Sequence, residues 1–319
     1  MMCAISFLKK TGKNSKFLYY TKSTFRYIVP KFFFQYRLKA VLRGVERRSD
    51  YSCIIERVNY YNKLNTLVKL PQETKSAGEH SMKNMGSVYF FDSYEFVRWF
   101  PSHLRWIVTP GDTNYHVPVP SIVKARPLSG DNKNSVLLNM DKVRHFIFLK
   151  DKKVFTEKQD KVIFRGDTKN KKNRQIFLEM FHDHPLFDVG DTSPDPQSNS
   201  AGKLTLYEHL DYKFIVSLEG NDVASNLKWV MSSNSIAVMP KPTCETWFME
   251  GCLIPDYHYI EVKSDYSDFV ERIQYYIEHP DEAQQIIDHA HEYIAQFQDK
   301  KRERLISLLV LKKYFDFTE

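Results

Sequence analysis

The chain of 319 residues is 42% hydrophobic and 27% charged, so a packed globular core is expected. No stretch approaches the roughly 18 consecutive apolar residues that a membrane-spanning helix requires. The four cysteines are scattered and lack a CxxC spacing, which argues against a zinc site and against a disulfide framework.

The N-terminal arm, residues 1–48, is basic and aromatic. It contains twelve Lys or Arg residues against one acid, Glu46, and so carries +11. Because the whole chain carries +7, residues 49–319 together carry −4. Nine Phe and Tyr residues lie among the cations of residues 17–36. This mixture suits an anionic membrane surface, a nucleic acid, or a solvated basic face whose rings belong to the core.

The first ten residues place a short apolar run before the first charges. A secretory signal has the reverse order, with its charges first. We therefore expect the protein to stay in the cytoplasm.

Residues 49–155 are predicted to form a first α/β domain. Segment 71–87 is polar and contains Gly, which predicts a loop. Segment 104–110 predicts a strand that ends at a Pro-Gly turn, and segment 144–150 alternates as a strand does. The apolar pattern breaks over residues 151–160, so we place a domain boundary near residue 155.

Residues 156–319 are predicted to form a second α/β domain that ends in helices. Strands are predicted at 161–167, 213–220, 235–240 and 258–262. Helices are predicted at 173–184, 204–210, about 222–231, 265–278, 281–297 and 302–315, with a loop at 189–203. This alternation predicts a parallel sheet covered on both faces. Ligands of such sheets bind beyond the carboxyl ends of the strands.

The end of the strand at 161–167 is a candidate anion site. Arg165 and Gly166 end this strand, and further cations follow as far as Arg174. A guanidinium group can donate two parallel hydrogen bonds to phosphate oxygens, so this segment could bind a diphosphate. The alternative is a surface turn with a solvated run of charges.

The run from Ser217 to Trp229 predicts a strand, a turn at Gly220 and a helix. Free N–H groups at such a helix start can bind an anion, and Lys228 could reach a phosphate from inside the helix. Asn221 or Asp222 could instead be only the residue that caps the helix.

A third segment centres on Glu245, which follows the strand at 235–240. Its carboxylate could accept hydrogen bonds from the hydroxyl groups of a ribose. The alternative is an acid placed at a helix start, where the helix dipole favours it.

The order and spacing of these segments resemble glycosyltransferase family 90. The resemblance rests on VIFRGDTKNKKNR (162–174) and on YKFIVSLEGNDVASNLKWVMSSNSIAVMPKPTCETWFMEGCLIPDYHYIEVKSDYSD (212–268). Three further runs are similar to the N-terminal half of bacterial lipopolysaccharide core glycosyltransferases: ERVNYYNKL (56–64), PSIVKARPL (120–128) and NSVLLNMDKVRHFIF (134–148). The resemblance covers roughly residues 55–295.

The resemblance implies two Rossmann-like domains that face a cleft, the arrangement called GT-B. Residues 49–155 would bind the acceptor, and residues 156–319 would bind a UDP-hexose. It also implies inversion at the anomeric carbon without a bound metal or other cofactor; in agreement, no two aspartates stand at i and i+2. The implied donor-binding residues are Arg165, Gly166, Arg174, Gly220, Asn221, Ser225, Asn226, Lys228 and Glu245.

One of these positions departs from the family pattern. Animal relatives carry an Arg where this chain has Asn226. The charge of the diphosphate would then be neutralised by Arg165, Lys228 and the helix start, with Arg174 as a possible helper.

Inversion needs a base that takes the proton of the acceptor hydroxyl. In the family this base is an Asp that precedes a Pro and a Ser-x-x-Lys run. Here the matching residue is Asp112, before Pro118 and the run from Ser121 to Lys124, although extra residues separate Asp112 from Pro118. Asp92 and Asp131 are the alternatives.

The resemblance therefore implies an inverting hexosyltransferase that moves glucose or galactose from a UDP-sugar to a hydroxyl of the lipopolysaccharide core oligosaccharide. We expect it to act as a peripheral protein on the inner face of the bacterial inner membrane, where the arm would bind the anionic surface. The alternatives are a non-catalytic relative that binds a glycan or nucleotide-sugar, and a nucleic-acid-binding protein that uses the arm.

Overall fold

A computed structural model describes residues 11–83, 85–194 and 199–319. The helices are α1 (Lys16–Ile28), α2 (Phe32–Arg43), α3 (Tyr51–Tyr61), α4 (Ser87–Val97), α5 (Lys142–His145), α6 (Lys172–Phe181), α7 (Leu206–His209), α8 (Leu227–Met231), α9 (Phe269–Glu278), α10 (Pro280–Ala295) and α11 (Lys300–Asp316). The strands are β1 (Val108–Thr109), β2 (Ser121–Val123), β3 (Ala125–Pro127), β4 (Ser135–Leu137), β5 (Gln159–Gly166), β6 (Phe187–Asp191), β7 (Tyr212–Val216), β8 (Ile236–Met239), β9 (Cys244–Thr246) and β10 (Ile260–Glu261).

The chain is a mixed α/β protein with two parallel sheets. Three strands form the first sheet in the order β1-β2-β4, and five form the second in the order β10-β8-β7-β5-β6. In the second sheet the chain runs outward from β5 to β6 and then returns to the other side of β5 at β7. The strand order therefore reverses between β5 and β7, which is where parallel sheets bind ligands.

The central strands of the second sheet are buried on both faces. In β5, Ile163 packs into one hydrophobic core, while Val162 and Phe164 pack into the other. In β7, Ile215 packs into the same core as Ile163, and Phe214 packs into the other core. This alternation follows from the two-residue period of a strand, and it explains why the sequence reads as a continuous apolar run rather than an alternating one.

Paired strands and packed helices connect the parts of the chain before and after residue 155. Strand β3 pairs antiparallel with β9, which places Arg126 opposite Glu245. Helix α11 returns to pack against α3 and α4. The main-chain N–H of Val68 donates to the carbonyl of Phe317 over 2.9 Å. The boundary near residue 155 lies between the two sheets in sequence, and the division into domains stays a prediction.

The arm forms helices α1 and α2, while residues 1–10 lie outside the described part. Helix α1 packs on α4, and α2 packs on α11. The Tyr19 hydroxyl donates to Asp92 over 3.0 Å, which ties α1 to the body. No helix in the described ranges is long and apolar enough to cross a membrane.

The predicted strand at 144–150 is wrong. Its first two residues end α5, and residues 146–150 join no sheet. Ile147 and Leu149 are buried in alternation, as predicted. The main-chain N–H of Leu149, however, donates to the Ser232 hydroxyl over 2.8 Å rather than to a neighbouring strand. Side-chain alternation predicts burial, but it does not show which group accepts the backbone hydrogen bonds.

Three further predicted boundaries differ. The predicted loop at 189–203 begins inside β6, and its residues 195–198 lie outside the described part. The predicted strand at 104–110 is reduced to the two residues of β1. The helix expected from about residue 222 starts only at Leu227, and Asp222 lies in the preceding loop, in an ion pair with Lys124.

Candidate active site

A cavity of 730 Å³, here called the main cavity, lies at the carboxyl ends of β5 and β7. Its volume falls in the range of about 300–1,000 Å³ that is typical of small-molecule sites. Both parts of the chain line it. The residues before 155 include Lys16, Tyr20, Tyr89, Asp112, Asp141 and Arg144, and those after include Arg165, Thr192, Lys203, Val216, Ser225 and Asn226.

Asp112 lies where the two parts meet. Its Oδ1 is 2.5 Å from Lys124 Nζ, and its Oδ2 accepts from Asn221 Nδ2 over 3.2 Å. Lys124 is buried and also lies 2.7 Å from Asp222. Burial acts to raise the pKa of Asp112, but the hydrogen bond and charge of Lys124 hold it below the ordinary value. The carboxylate is therefore ionised near neutral pH and able to accept a proton.

The other two aspartates considered from the sequence lie elsewhere. Asp92 is 1% exposed and accepts from the main-chain N–H of Lys142 over 3.0 Å. Asp131 is at the surface, 3.2 Å from Lys133 Nζ. Neither lines the main cavity.

Asp141 is a cavity carboxylate that the sequence reasoning missed. It adopts a left-handed conformation with φ 55° just after β4, and Arg144 Nε lies 3.1 Å from it. Burial raises the pKa of Asp141. Its position beyond the carboxyl end of a buried strand was the available signal, but β4 was not predicted.

Arg165 and Gly166 end β5 at the cavity. The guanidinium Nη2 of Arg165 is 2.5 Å from Asp188, so part of its charge is already balanced. A Cβ atom at Gly166 would lie 2.6 Å from the ring of Phe164. Only glycine therefore fits at this strand end without displacing that ring.

Arg174 joins the loop after β5 to the loop after β7. Its guanidinium donates to the carbonyls of Asp167, Leu218 and Glu219 over 2.9, 2.7 and 3.2 Å. A Cβ atom at Gly220 would be 3.2 Å from Arg174 Nη2. In this structure Arg174 positions the Gly220 loop rather than pointing into the main cavity.

Ser225 and Asn226 reach the main cavity from the start of α8. The amide of Asn226 donates to the carbonyl of Val216 over 2.9 Å, which fixes it against the end of β7. The predicted donor residues that the structure gathers around this cavity are thus Arg165, Ser225 and Asn226, with Asn221 bound to Asp112 at its edge.

Lys228 and Glu245 are placed away from the main cavity. Lys228 is fully buried and lies 2.5 Å from Glu250. Glu245 is 1% exposed, lies 2.7 Å from Arg126 Nε, and accepts from the Tyr60 hydroxyl. Neither side chain is accessible to a ligand in this structure.

Glu219 is a second carboxylate that the sequence reasoning missed. It borders a smaller cavity of 180 Å³ at the carboxyl ends of β7 and β8. It accepts from the main-chain N–H of Thr243 over 2.9 Å and of Cys244 over 3.2 Å. The signal was its position directly before Gly220, at the end of the strand predicted at 213–220.

The arrangement places a carboxylate, cations and strand ends around one cavity, and the chain also matches a family model described as Glycosyl transferase family 90 over residues 137–315. The chain belongs to this family. Within it, the chain is 37% identical to the O-glucosyltransferase LpsA of Dichelobacter nodosus over 312 residues, which are 95% of this chain and 96% of that protein.

A more distant similarity connects the chain to an animal protein. It is 25% identical to protein O-glucosyltransferase 3 of Rattus norvegicus over 136 residues, which are 40% of this chain and 26% of that protein. Membership in family 90 makes the chain a glycosyltransferase.

The main cavity of this family 90 enzyme also contains cations that the sequence reasoning did not assign to it. Lys13, Lys16 and Lys203 line it, and within the described ranges their ammonium groups have no ion-pair partner. They can therefore attract an anionic ligand. Across the same described ranges, no three His, Cys, Asp or Glu side chains come together in a group that could hold a metal ion.

Replacing Lys228 by Ala is expected to lower the free energy of unfolding by about 3–5 kcal/mol, because Glu250 would remain buried without its partner. Urea unfolding followed by circular dichroism measures this change. The exposed Lys152→Ala variant is the control and should stay within about 0.5 kcal/mol of the parent. A Lys228→Ala protein of unchanged stability that no longer binds UDP would instead give Lys228 a direct role at the donor.

Proposed function

We propose that the enzyme transfers a hexose from a UDP-sugar to a hydroxyl of the lipopolysaccharide core oligosaccharide, with inversion and without a metal. The proposal is carried by the main cavity, which brings Asp112 and the strand-end cation Arg165 to one space. Glucose is the favoured hexose, and galactose the alternative, because the relative that matches 95% of the chain is named an O-glucosyltransferase.

We propose a GT-B arrangement in which the donor binds the second half. The five-stranded sheet would hold the UDP-hexose at the point where its strand order reverses. Arg165 and Lys203 would face the diphosphate, and Ser225 and Asn226 would contact it from the start of α8. Gly166, Gly220 and Arg174 would shape the two loops. Lys203 follows Gly202, whose carbonyl accepts from Arg165 Nε over 3.3 Å, so both cations lie at one wall.

In the proposed reaction Asp112 is the base. The acceptor oxygen attacks the anomeric carbon as the bond from that carbon to the diphosphate oxygen breaks, and the hydroxyl proton passes to the Asp112 carboxylate. The departing UDP takes the electron pair of the broken bond, and Arg165 with Lys203 stabilises its charge. Lys124 and Asn221 hold the carboxylate in place.

Asp112→Asn is expected to lower kcat about 10²–10⁴-fold, because an amide cannot accept the proton. UDP release is measured with a panel of UDP-sugars and truncated core lipopolysaccharide as the acceptor. UDP affinity should change less than twofold, and Asp131→Asn, at the surface, should behave as the parent enzyme. No release by the parent with any donor would defeat the proposed transfer, and a parallel loss of UDP affinity would contradict the role of Asp112.

The pH dependence of kcat/KM separates Asp112 from Asp141, because it reports the pKa of the base in the free enzyme. Lys124 holds the pKa of Asp112 below its ordinary value, so Asp112 stays ionised and the rate should persist on acidification to about pH 4. Burial raises the pKa of Asp141, so if Asp141 were the base, the rate would already fall at a higher pH during acidification. A rate that falls well above pH 4 would therefore favour Asp141.

We also propose that the arm binds the anionic inner face of the bacterial inner membrane as a peripheral element. Phe17, Phe25 and Tyr36 on α1 and α2 are 78%, 70% and 88% exposed. The two helices contain Lys and Arg but no Asp or Glu. Exposed rings among cations suit a surface of anionic headgroups over an apolar layer.

The variant with Phe17, Phe25 and Tyr36 changed to Ser should bind anionic phospholipid vesicles at least tenfold more weakly, because burial of one such ring contributes about 1.5–3 kcal/mol. Flotation of the full chain with vesicles measures the binding. The control changes three exposed apolar residues of the body to Ser: Leu67, Tyr115 and Val154. Equal flotation of both variants would rule out the proposed membrane face.

A further inference from the structure

A second large cavity, of 670 Å³, lies beside the main cavity and is here called the arm cavity. Helices α1, α4 and α11 and the segment 139–148 enclose it. Asn14 and Val143 line both cavities. The Asn14 amide donates to the carbonyl of Phe146 over 3.0 Å, which fixes the wall between them. The two cavities therefore lie side by side and share this wall.

The acids of the arm cavity are already balanced by cations. Glu95 is 2.6 Å from Lys142 and 2.8 Å from Arg26. Glu303 is 2.6 Å from Arg57, and it also accepts from the indole N–H of Trp247 over 2.6 Å. Neither carboxylate is thus left to attract a cationic ligand.

Three further cations of the arm cavity have no such partner. Lys22, Lys300 and Arg304 line it, and no acid within the described ranges forms an ion pair with their side chains. Burial alone would raise the pKa of Glu95, yet the surrounding cations, Arg304 among them, hold it below the ordinary value. The potential in the arm cavity is therefore positive, which favours an anion.

Part of the remaining lining of the arm cavity is apolar and aromatic. Phe96, Phe146, Phe148 and Phe297 line it, together with Leu18 of α1. A mostly apolar lining with a few convergent charged groups is the usual composition of a small-molecule site. The rings provide flat apolar surface against which the C–H face of a sugar can pack, and the cations provide partners for an acidic substituent.

We propose that the arm cavity is an acceptor subsite for an anionic sugar. A phosphate- or carboxylate-bearing sugar of the acceptor binds there, while the reacting sugar lies in the main cavity near Asp112. The subsite rests on the proposed transfer to an oligosaccharide, and it adds that this acceptor is recognised through a negative charge away from the reacting hydroxyl. The enzyme thereby discriminates between charged and neutral acceptors of the same length.

The experiment removes the three unpaired cations by changing Lys22, Lys300 and Arg304 to Ala. The matched control changes three exposed lysines outside both cavities to Ala: Lys150, Lys152 and Lys161. Both full-length variants lose three positive charges. The acceptor is core oligosaccharide freed of its fatty acids, with its phosphates retained, so that no lipid surface takes part. The readouts are the acceptor KM, the donor KM and kcat from UDP release, and the affinity for the oligosaccharide from titration calorimetry.

The subsite predicts an acceptor KM and dissociation constant at least tenfold higher in the Lys22, Lys300 and Arg304 variant. Its donor KM and kcat should stay within twofold of the parent, and the control should match the parent throughout. If phosphate is the anion, removing the phosphates of the acceptor should weaken its binding to the parent and leave its binding to the triple variant unchanged. If carboxylate is the anion, reducing the carboxyl groups of the acceptor should have these two effects instead.

Equal affinity of the triple variant and the parent for the charged acceptor would overturn the subsite. An affinity loss in the triple variant that is equally large with the neutral acceptor would overturn it too. The affinity measurement requires no turnover, so it decides the subsite by itself. An absence of UDP release by the parent would defeat the proposed transfer. Normal turnover by the parent, together with an unchanged acceptor KM in the triple variant, would defeat the subsite but not the proposed transfer.

Discussion

The buried ammonium group of Lys124 is the interaction on which the arrangement of the main cavity depends. It lies between Asp112, which precedes the first sheet's central strand, and Asp222, which follows β7. Removing an ammonium ion from water costs several kcal/mol unless carboxylates surround it. Both loops are therefore held close to this charge. The same lysine fixes the position of the proposed base and holds the loop that precedes α8, so one wall of the main cavity formed by residues after 155 depends on a cation of the segment before 155.

Two other buried ion pairs have the same character, one between the two parts of the chain and one within the second part. Arg126 and Glu245 face each other across the β3–β9 pair, and Lys228 binds Glu250 behind the 180 Å³ cavity. Buried pairs contribute little net stability, but a partner left alone is strongly unfavourable. We infer that these pairs select one packing of the segments over others. Selection of one packing gives the cavity a defined wall.

The sequence was sufficient for most of the second sheet and for its longer helices, because their apolar runs are long and separated by clear turns. Strands β5, β7 and β8 and helices α6, α9, α10 and α11 all lie where they were predicted. Strand β4 has three residues, too few to show a pattern. Strand β6 contains Asp188, Gly190 and Asp191, so it lacks the continuous apolar run of the predicted strands. The expectation for 144–150 failed because hydrogen bonding to a distant serine is invisible in side-chain periodicity.

The site was predicted less completely, for a related reason. Arg165, Ser225, Asn226 and Asp112 were found because they follow strand ends or match a family motif, and the structure brings them to one cavity. Position along the chain does not show the direction of a side chain, so the burial of Lys228 against Glu250 could not be foreseen. Asp141 was missed because its strand was missed.

The return of α11 to α3 has a consequence for how the protein is made. Arg57 on α3 and Glu303 on α11 are in contact although 246 residues separate them. At a synthesis rate of about 5–20 residues per second, roughly 12–50 s pass between the synthesis of Arg57 and that of Glu303. During that time the apolar faces of α3 and α4 are exposed on the ribosome. We expect the nascent chain to depend on chaperones until its last helix emerges.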